Sequence, residues 1–221
     1  MGKRLAYIHT VAGLVATFKA LSDELLPGVD LFHIVDESLL QNTIRTNQLT
    51  SQTMRRLLRL VISAEEAGAD IVMVTCSSVG PAVEASRPFV QIPVLRVDEP
   101  MAELAVQSGT TIGVAATLPT TLKPTADLIS NVAARQGKSV QVLSKLCEGA
   151  FQAVVSGDTA RHDQLVSSGL QELAPQVEVI VLAQASMARV VENLPPETRR
   201  IPILSSPRLA VQRLAQLIPT L

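Results

Sequence analysis

One pattern occurs twice in this chain, about 107 residues apart, and it constrains the fold more than any other feature. Asp70-Ile-Val-Met-Val-Thr-Cys-Ser-Ser aligns with Glu178-Val-Ile-Val-Leu-Ala-Gln-Ala-Ser at an offset of 108. Ile92-Pro-Val-Leu aligns with Ile201-Pro-Ile-Leu at 109, Leu5–Thr10 with Ile112–Thr117 at 107, and Leu31–Val35 with Ser139–Leu143 at 108. Any one apolar strand resembles another. Four of them in the same order at nearly constant spacing read as an internal duplication.

Within each copy, short β-branched apolar runs alternate with segments of helical spacing, which predicts a parallel α/β architecture. In the first copy the spacing predicts strands over Arg4–Ile8, Asp30–Val35, Ile71–Val74 and Ile92–Leu95, and helices over Leu14–Leu26, Met54–Gly68 and Pro100–Val106. Gln41–Thr53 is polar and weakly patterned, and reads as a loop over a site. In the second copy strands are predicted over Thr110–Ala115, Ser139–Leu143, Val177–Leu182 and Ile201–Leu204, and the last helix over Arg208–Leu217. Two lobes of one topology are expected to pack about a pseudo-twofold axis, with their strand ends facing one cleft.

That expectation concentrates attention on Cys76. It follows the buried run Ile71–Val74 directly and precedes Ser77, Ser78 and Gly80-Pro81. Ligands in open α/β sheets bind at the carboxyl ends of strands. A thiol beside the positive end of a helix is expected to have a lowered pKa, and the backbone N–H groups there favour anions. The duplication pairs Thr10 with Thr117, Ser78 with Ser186, and Cys76 with Gln184. Hydroxyls and helix N-termini from both lobes suit a small carboxylate or dicarboxylate without any basic side chain. A cysteine above its α-carbon would act as a thiolate base or a nucleophile.

Composition removes other classes. Lys and Arg number 19 against 20 Asp and Glu, aromatics are 2%, and there is no Trp, which excludes a basic, ring-lined nucleic-acid surface. No apolar run approaches the roughly 20 residues of a membrane span. The start, Met1-Gly2-Lys3-Arg4, lacks the form of a secretory leader, so a cytoplasmic location is expected. Cys76 and Cys147 read as free thiols, and His9, His33 and His162 are too scattered for a zinc site, so no metal is expected. Cys147, after the strand at Leu143, does not align with Cys76 and reads as structural. His9 follows a strand and could assist proton transfer, but its counterpart is Ala116. Asp36 and Glu37 read equally well as site residues or helix caps.

The sequence resembles the aspartate/glutamate racemase superfamily, which includes hydantoin racemase, maleate isomerase and arylmalonate decarboxylase. The residues that carry the likeness are Val72-Met-Val-Thr-Cys-Ser-Ser, similar to the first catalytic-cysteine motif, Val35-Asp-Glu-Ser-Leu-Leu, Gly113-Val-Ala-Ala-Thr-Leu-Pro-Thr-Thr, and Ile180-Val-Leu-Ala-Gln-Ala-Ser-Met-Ala, where the family has its second cysteine. The resemblance implies a cofactor-independent enzyme with a site between two α/β lobes, acting on a small carboxylate, and a homodimer. It implies a first lobe of residues 1–98 plus 207–221, with the C-terminal helix returning to it, and a second lobe of 99–206. Cys76 is the implied catalytic residue, with Thr10, Ser77, Ser78, Thr117, Thr120, Thr121, Gln184, Ala185 and Ser186 around the substrate. The implied function is racemisation or isomerisation at the α-carbon of an Asp- or Glu-like acid. Gln184 departs from the two-cysteine pattern, because glutamine neither supplies nor accepts a proton at useful rates. The alternatives are therefore a single-thiol cis–trans isomerase or decarboxylase of a dicarboxylic acid, or a catalytically silent carboxylate-binding homologue.

Overall fold

A computed structural model describes residues 2–220. The chain divides into two compact units. One takes the chain up to Glu99 and everything described from Pro207 onward; the other is Pro100–Ser206.

In the first unit, strands β1 (Arg4–His9), β2 (Asp30–Val35), β3 (Ile71–Val74) and β4 (Val94–Arg96) form a parallel sheet in the order β2-β1-β3-β4. The connecting helices are α1 (Leu14–Leu25), α2 (Glu37–Thr46), α3 (Ser51–Glu66) and α4 (Gly80–Ser86). Strands β1 and β3 are buried on both faces, as continuous apolar runs in a parallel sheet should be. Ala6, Ile8, Val72 and Val74 pack with Leu57 and Val61 of α3. Leu5, Tyr7, Ile71 and Met73 pack on the other face with Phe18 of α1.

Helix α5 (Glu99–Ser108) leads into the second unit. There β5 (Thr111–Ala116), β6 (Gln141–Leu146), β7 (Val179–Leu182) and β8 (Ile203–Ser205) form a second parallel sheet, in the order β6-β5-β7-β8. Its helices are α6 (Pro119–Arg135), α7 (Ala150–Val155) and α8 (Thr159–Leu173). The order repeats that of the first unit, so the duplication read from four segments is present in the topology. Helix α9 (Ser206–Leu217) places Ala210, Val211 and Leu214 against the β1/β3 face of the first sheet. No helix among the described residues is long and apolar enough to cross a membrane.

Two sequence expectations are corrected. The loop expected over Gln41–Thr53 is mostly helical: α2 runs to Thr46 and α3 starts at Ser51. The Asp36 carboxylate caps α2 by accepting from Ser38 N–H at 3.1 Å, Leu39 and Thr43 supply the buried stripe, and left-handed Asn47 ends the helix. A stripe of only two buried residues, one of them Thr, is too thin to stand out in a polar segment. The second correction concerns β6, which runs over Gln141–Leu146 rather than Ser139–Leu143. Helix α6 closes through Gly137 (φ 66°) with Lys138 N–H bonded back to Ala133 O, and the chain pairs only when Gln141 N–H meets Thr110 O at 2.7 Å. Because Leu5 pairs Leu31 and Ile112 pairs Val142, the structural offset at this strand is 111, not 108.

Candidate active site

The residues singled out from the sequence follow the carboxyl ends of β1 and β3 in the first unit and of β5 and β7 in the second. In the first unit the Thr75 N–H and hydroxyl both donate to Ile8 O, at 3.0 and 3.3 Å, as the chain leaves β3. Cys76 is extended (φ −136°, ψ 116°), and Ser77–Val79 form one 3₁₀ turn that closes with Val79 N–H on Cys76 O at 3.4 Å. Helix α4 begins only at Gly80 and is seven residues long. The thiol therefore meets a 3₁₀ turn, not the head of a long helix. Ser77, Ser78 and Thr10 are buried around it, while Cys76 itself is half-buried.

This changes the electrostatic expectation for Cys76. Burial is the largest influence and pushes the thiol up rather than down. Four donors oppose it: the Thr10 hydroxyl, the N–H groups of Ser78 and Val79, and the Ser78 hydroxyl. Thr10 Oγ1 is buried and has no formed hydrogen bond, so its donor capacity remains available to a thiolate. The turn thus keeps a neutral thiol at rest and has donors in place for the anion.

In the second unit, Ala183 N–H donates to Ala115 O at 2.9 Å, as Thr75 does to Ile8. Gln184 then takes the backbone conformation of Cys76 (φ −135°, ψ 136°), and Met187 N–H closes on Gln184 O at 3.1 Å at the head of the 3₁₀ segment Ala185–Asn193. The Gln184 amide oxygen accepts from the Thr117 N–H at 2.5 Å and the Thr117 hydroxyl at 2.9 Å. Thr120 and Thr121 are buried in the first turn of α6, and Thr120 Oγ1 has no partner. Ala185 is half-buried and Ser186 exposed. The structure brings Thr10, Ser77 and Ser78 to Cys76 and brings Thr117 to Gln184, with Thr120 and Thr121 following in the same segment as Thr117.

Behind the Cys76 turn lie two clusters, of whose members the sequence reading singles out only His9 for a possible role. Arg96, at the end of β4, is buried. It donates from Nε and Nη2 to the two carboxylate oxygens of buried Asp98 at 2.9 and 2.8 Å, and from Nη1 to Glu84 of α4 at 2.5 Å. Gly80 lies directly on this guanidinium; a Cβ there would overlap it. The Arg-x-Asp spacing at a strand end was the available signal. The second cluster contains His9, fully buried, with Nδ1 2.9 Å from Thr75 Oγ1 and Nε2 2.9 Å from His33 Nδ1. Since Thr75 donates to Ile8 O, it accepts from His9 Nδ1–H, and His9 Nε2 then accepts from His33 Nδ1–H. Burial, followed by the nearby His33, lowers the His9 pKa to about 4. The His33 pKa is lowered too, by burial and then by Lys19.

The remaining candidates have structural explanations. Asp36 caps α2 and pairs with Arg56 at 2.7 Å, and Glu37 Oε1 accepts from Ala12 N–H at 3.1 Å. Cys147 is buried in the second core, packed so tightly on Gly169 that a Cβ there would meet its sulfur, and burial raises its pKa to about 11.

Residues 9–214 match the family model for Asp/Glu/hydantoin racemase. No curated protein matches by sequence. Several solved structures are similar in fold. A glutamate racemase from Bacillus anthracis superposes with TM-score 0.78 at 17% identity, over 99% of this chain and 82% of its own. An allantoin racemase from Klebsiella pneumoniae gives 0.71 at 18% identity, over 99% and 89%. An aspartate racemase from Picrophilus torridus gives 0.71 at 14% identity, over 97% and 95%.

Proposed function

We propose, on the premise that this chain belongs to the Asp/Glu/hydantoin racemase family, that it catalyses cofactor-independent isomerase chemistry at the α-carbon of a small carboxylic or amino acid, with Cys76 as the reacting group. The observation that carries this reading is the Cys76 turn: a half-buried thiol at a strand end, ringed by the buried Thr10 and Ser78 hydroxyls and two backbone N–H groups. As a base, the thiolate takes the α-proton; the C–H bond breaks, an S–H bond forms, and the electron pair passes into the carboxylate as an enediolate. The donors that stabilise the thiolate lower the barrier to forming it in a site where burial opposes charge. Thr10, Ser77 and Ser78 stand with that thiol in the first unit, and Thr117, Thr120, Thr121, Gln184, Ala185 and Ser186 are the candidate substrate contacts of the second unit.

Gln184, in the backbone position that matches Cys76, favours a second reading within the same class. With one thiol, Cys76 could add to the double bond of a cis-dicarboxylic acid and leave after rotation, or protonate the carbanion left by loss of carbon dioxide. Incubation with D- and L-Asp, D- and L-Glu, maleate and arylmalonates in deuterated water separates these. Deuterium at Cα, a trans diacid, or released carbon dioxide identifies the reaction, and each should vanish in Cys76→Ala. Absence of all three products with every substrate would overturn the enzymatic reading.

A further inference from the structure

We infer that Gln184 recognises a substrate carboxylate through its amide N–H donors, locked in that orientation by Thr117, and takes no part in proton transfer. The inference rests on the reading above, in which the chain acts on a small carboxylic or amino acid.

The orientation follows from which groups can donate. The Thr117 backbone N–H can only donate, so the amide atom 2.5 Å from it is the oxygen. The Thr117 hydroxyl donates to the same oxygen at 2.9 Å, which occupies both lone pairs. Flipping the amide would set its NH₂ against that N–H and forfeit the backbone hydrogen bond, which the Thr117 hydroxyl, able to accept as well as donate, cannot make good. Nε2 makes no hydrogen bond among the described residues, and Gln184 is only half-buried, so its two N–H groups are what the side chain offers a ligand. An amide N–H pair selects an acceptor oxygen and repels an ammonium group. It also has no accessible titration, so it cannot remove or return an α-proton.

The two units use one local scaffold for opposite purposes. Cys76 and Gln184 share a φ of about −135° and head equivalent 3₁₀ turns. In the first unit the threonine hydroxyl is left unpartnered beside a thiol. In the second the matching hydroxyl is consumed in holding an amide oxygen. One turn handles a proton; the other holds an oxyanion.

The test uses malonate, succinate and maleate as probe anions, titrated calorimetrically into the full-length wild type, Gln184→Glu and Gln184→Ala. Gln184→Glu keeps an oxygen for Thr117 but replaces the donors with a second, anionic oxygen. It should weaken binding of whichever probe the wild type takes by at least tenfold, with Gln184→Ala intermediate and iodoacetamide labelling of Cys76 unchanged in both. Equal affinity of wild type and Gln184→Glu, or no probe bound by wild type, overturns the donor role. For any substrate whose α-hydrogen wild type exchanges in deuterated water, Gln184→Ala should raise KM more than it lowers kcat, as loss of a binding contact does. A loss of kcat with KM unchanged overturns the exclusion of Gln184 from proton transfer. Probe binding intact but no Cys76-dependent reaction would fault the proposed chemistry and leave the carboxylate contact standing.

Discussion

A buried thiol becomes a base only if its anion finds donors, and at Cys76 the balance is set by a few named groups. Burial raises its pKa, while Thr10 and the turn N–H groups pull it back. Thr10→Val removes a hydroxyl that has no competing partner in the resting protein. Losing one donor to an anion should raise the apparent pKa further. The pH profile of alkylation by iodoacetamide should shift upward accordingly; a profile superimposable on wild type would remove Thr10 from the thiolate's support. Cys76 should be alkylated faster than Cys147, for reasons of access as well as donors. Cys147 is 3% exposed, is packed against Gly169, and has a pKa near 11. Equal labelling rates by peptide mass spectrometry would contradict this. Cys76→Ala should cut turnover by roughly 10²–10⁴-fold, the range expected when one acid–base group is removed, in the assay that first detects a reaction.

At the scale of elements, the strand-turn segments carry the site, and the ion cluster behind them fixes their geometry. Arg96 ties the end of β4 to α4 through Glu84 and closes on Asp98, with Gly80 pressed against its guanidinium. The guanidinium cannot swing aside without breaking buried, charge-assisted hydrogen bonds. Gly80→Ala should therefore cost about 1–3 kcal/mol, as overpacking does, read as a lower urea midpoint with unchanged m-value. The strands and turns were legible because a doubly buried parallel strand is a short apolar run that ends in small polar residues, as Ile71–Val74 before Thr75-Cys76 does. Helix α2 was hidden because only Leu39 and Thr43 are buried on it. The start of β6 was misplaced because Ser139-Val140 has strand-like composition but lies before the first β5 partner. Of the Arg96 cluster only the Arg-x-Asp pair was open to a sequence reading; the Glu84 bond that joins α4 to β4 depends on tertiary packing, which spacing along the chain does not reveal. Hydroxyls at the strand ends were legible as candidates; that Thr117 would be spent on Gln184 while Thr10 stayed unpartnered required coordinates.

For the whole molecule, the duplication yields two units of the same topology with different responses to acid. Each has its own core, but the first also contains the His9–His33 pair. The strand registers align His9 with Ala116 and His33 with Ser144, so the second sheet has no counterpart to the pair. A histidine whose folded pKa lies below its unfolded value binds its proton more tightly in the unfolded chain. Its contribution is complete above the unfolded value, near 6.5, and is lost as pH falls toward the folded one, about 4 for His9. His33 shifts in the same direction and adds to the loss. The carboxylates whose pKa values are lowered, Glu24 and Asp70 in the first unit and Asp163, Glu172 and Glu178 in the second, protonate below their ordinary range. Their losses therefore come at the acid edge of that window or beyond it. Between pH 6.5 and about 4 the first unit should weaken before the second. Hydrogen exchange followed by mass spectrometry at pH 7.5 and pH 5 should show amides of β1 and β3 losing protection more than those of β5 and β7. His9→Asn, which keeps a donor toward Thr75 without a titrating ring, should shrink that difference. Equal loss in the two sheets, or earlier opening of β5 and β7, would mean that the buried pair does not set the acid stability of its unit.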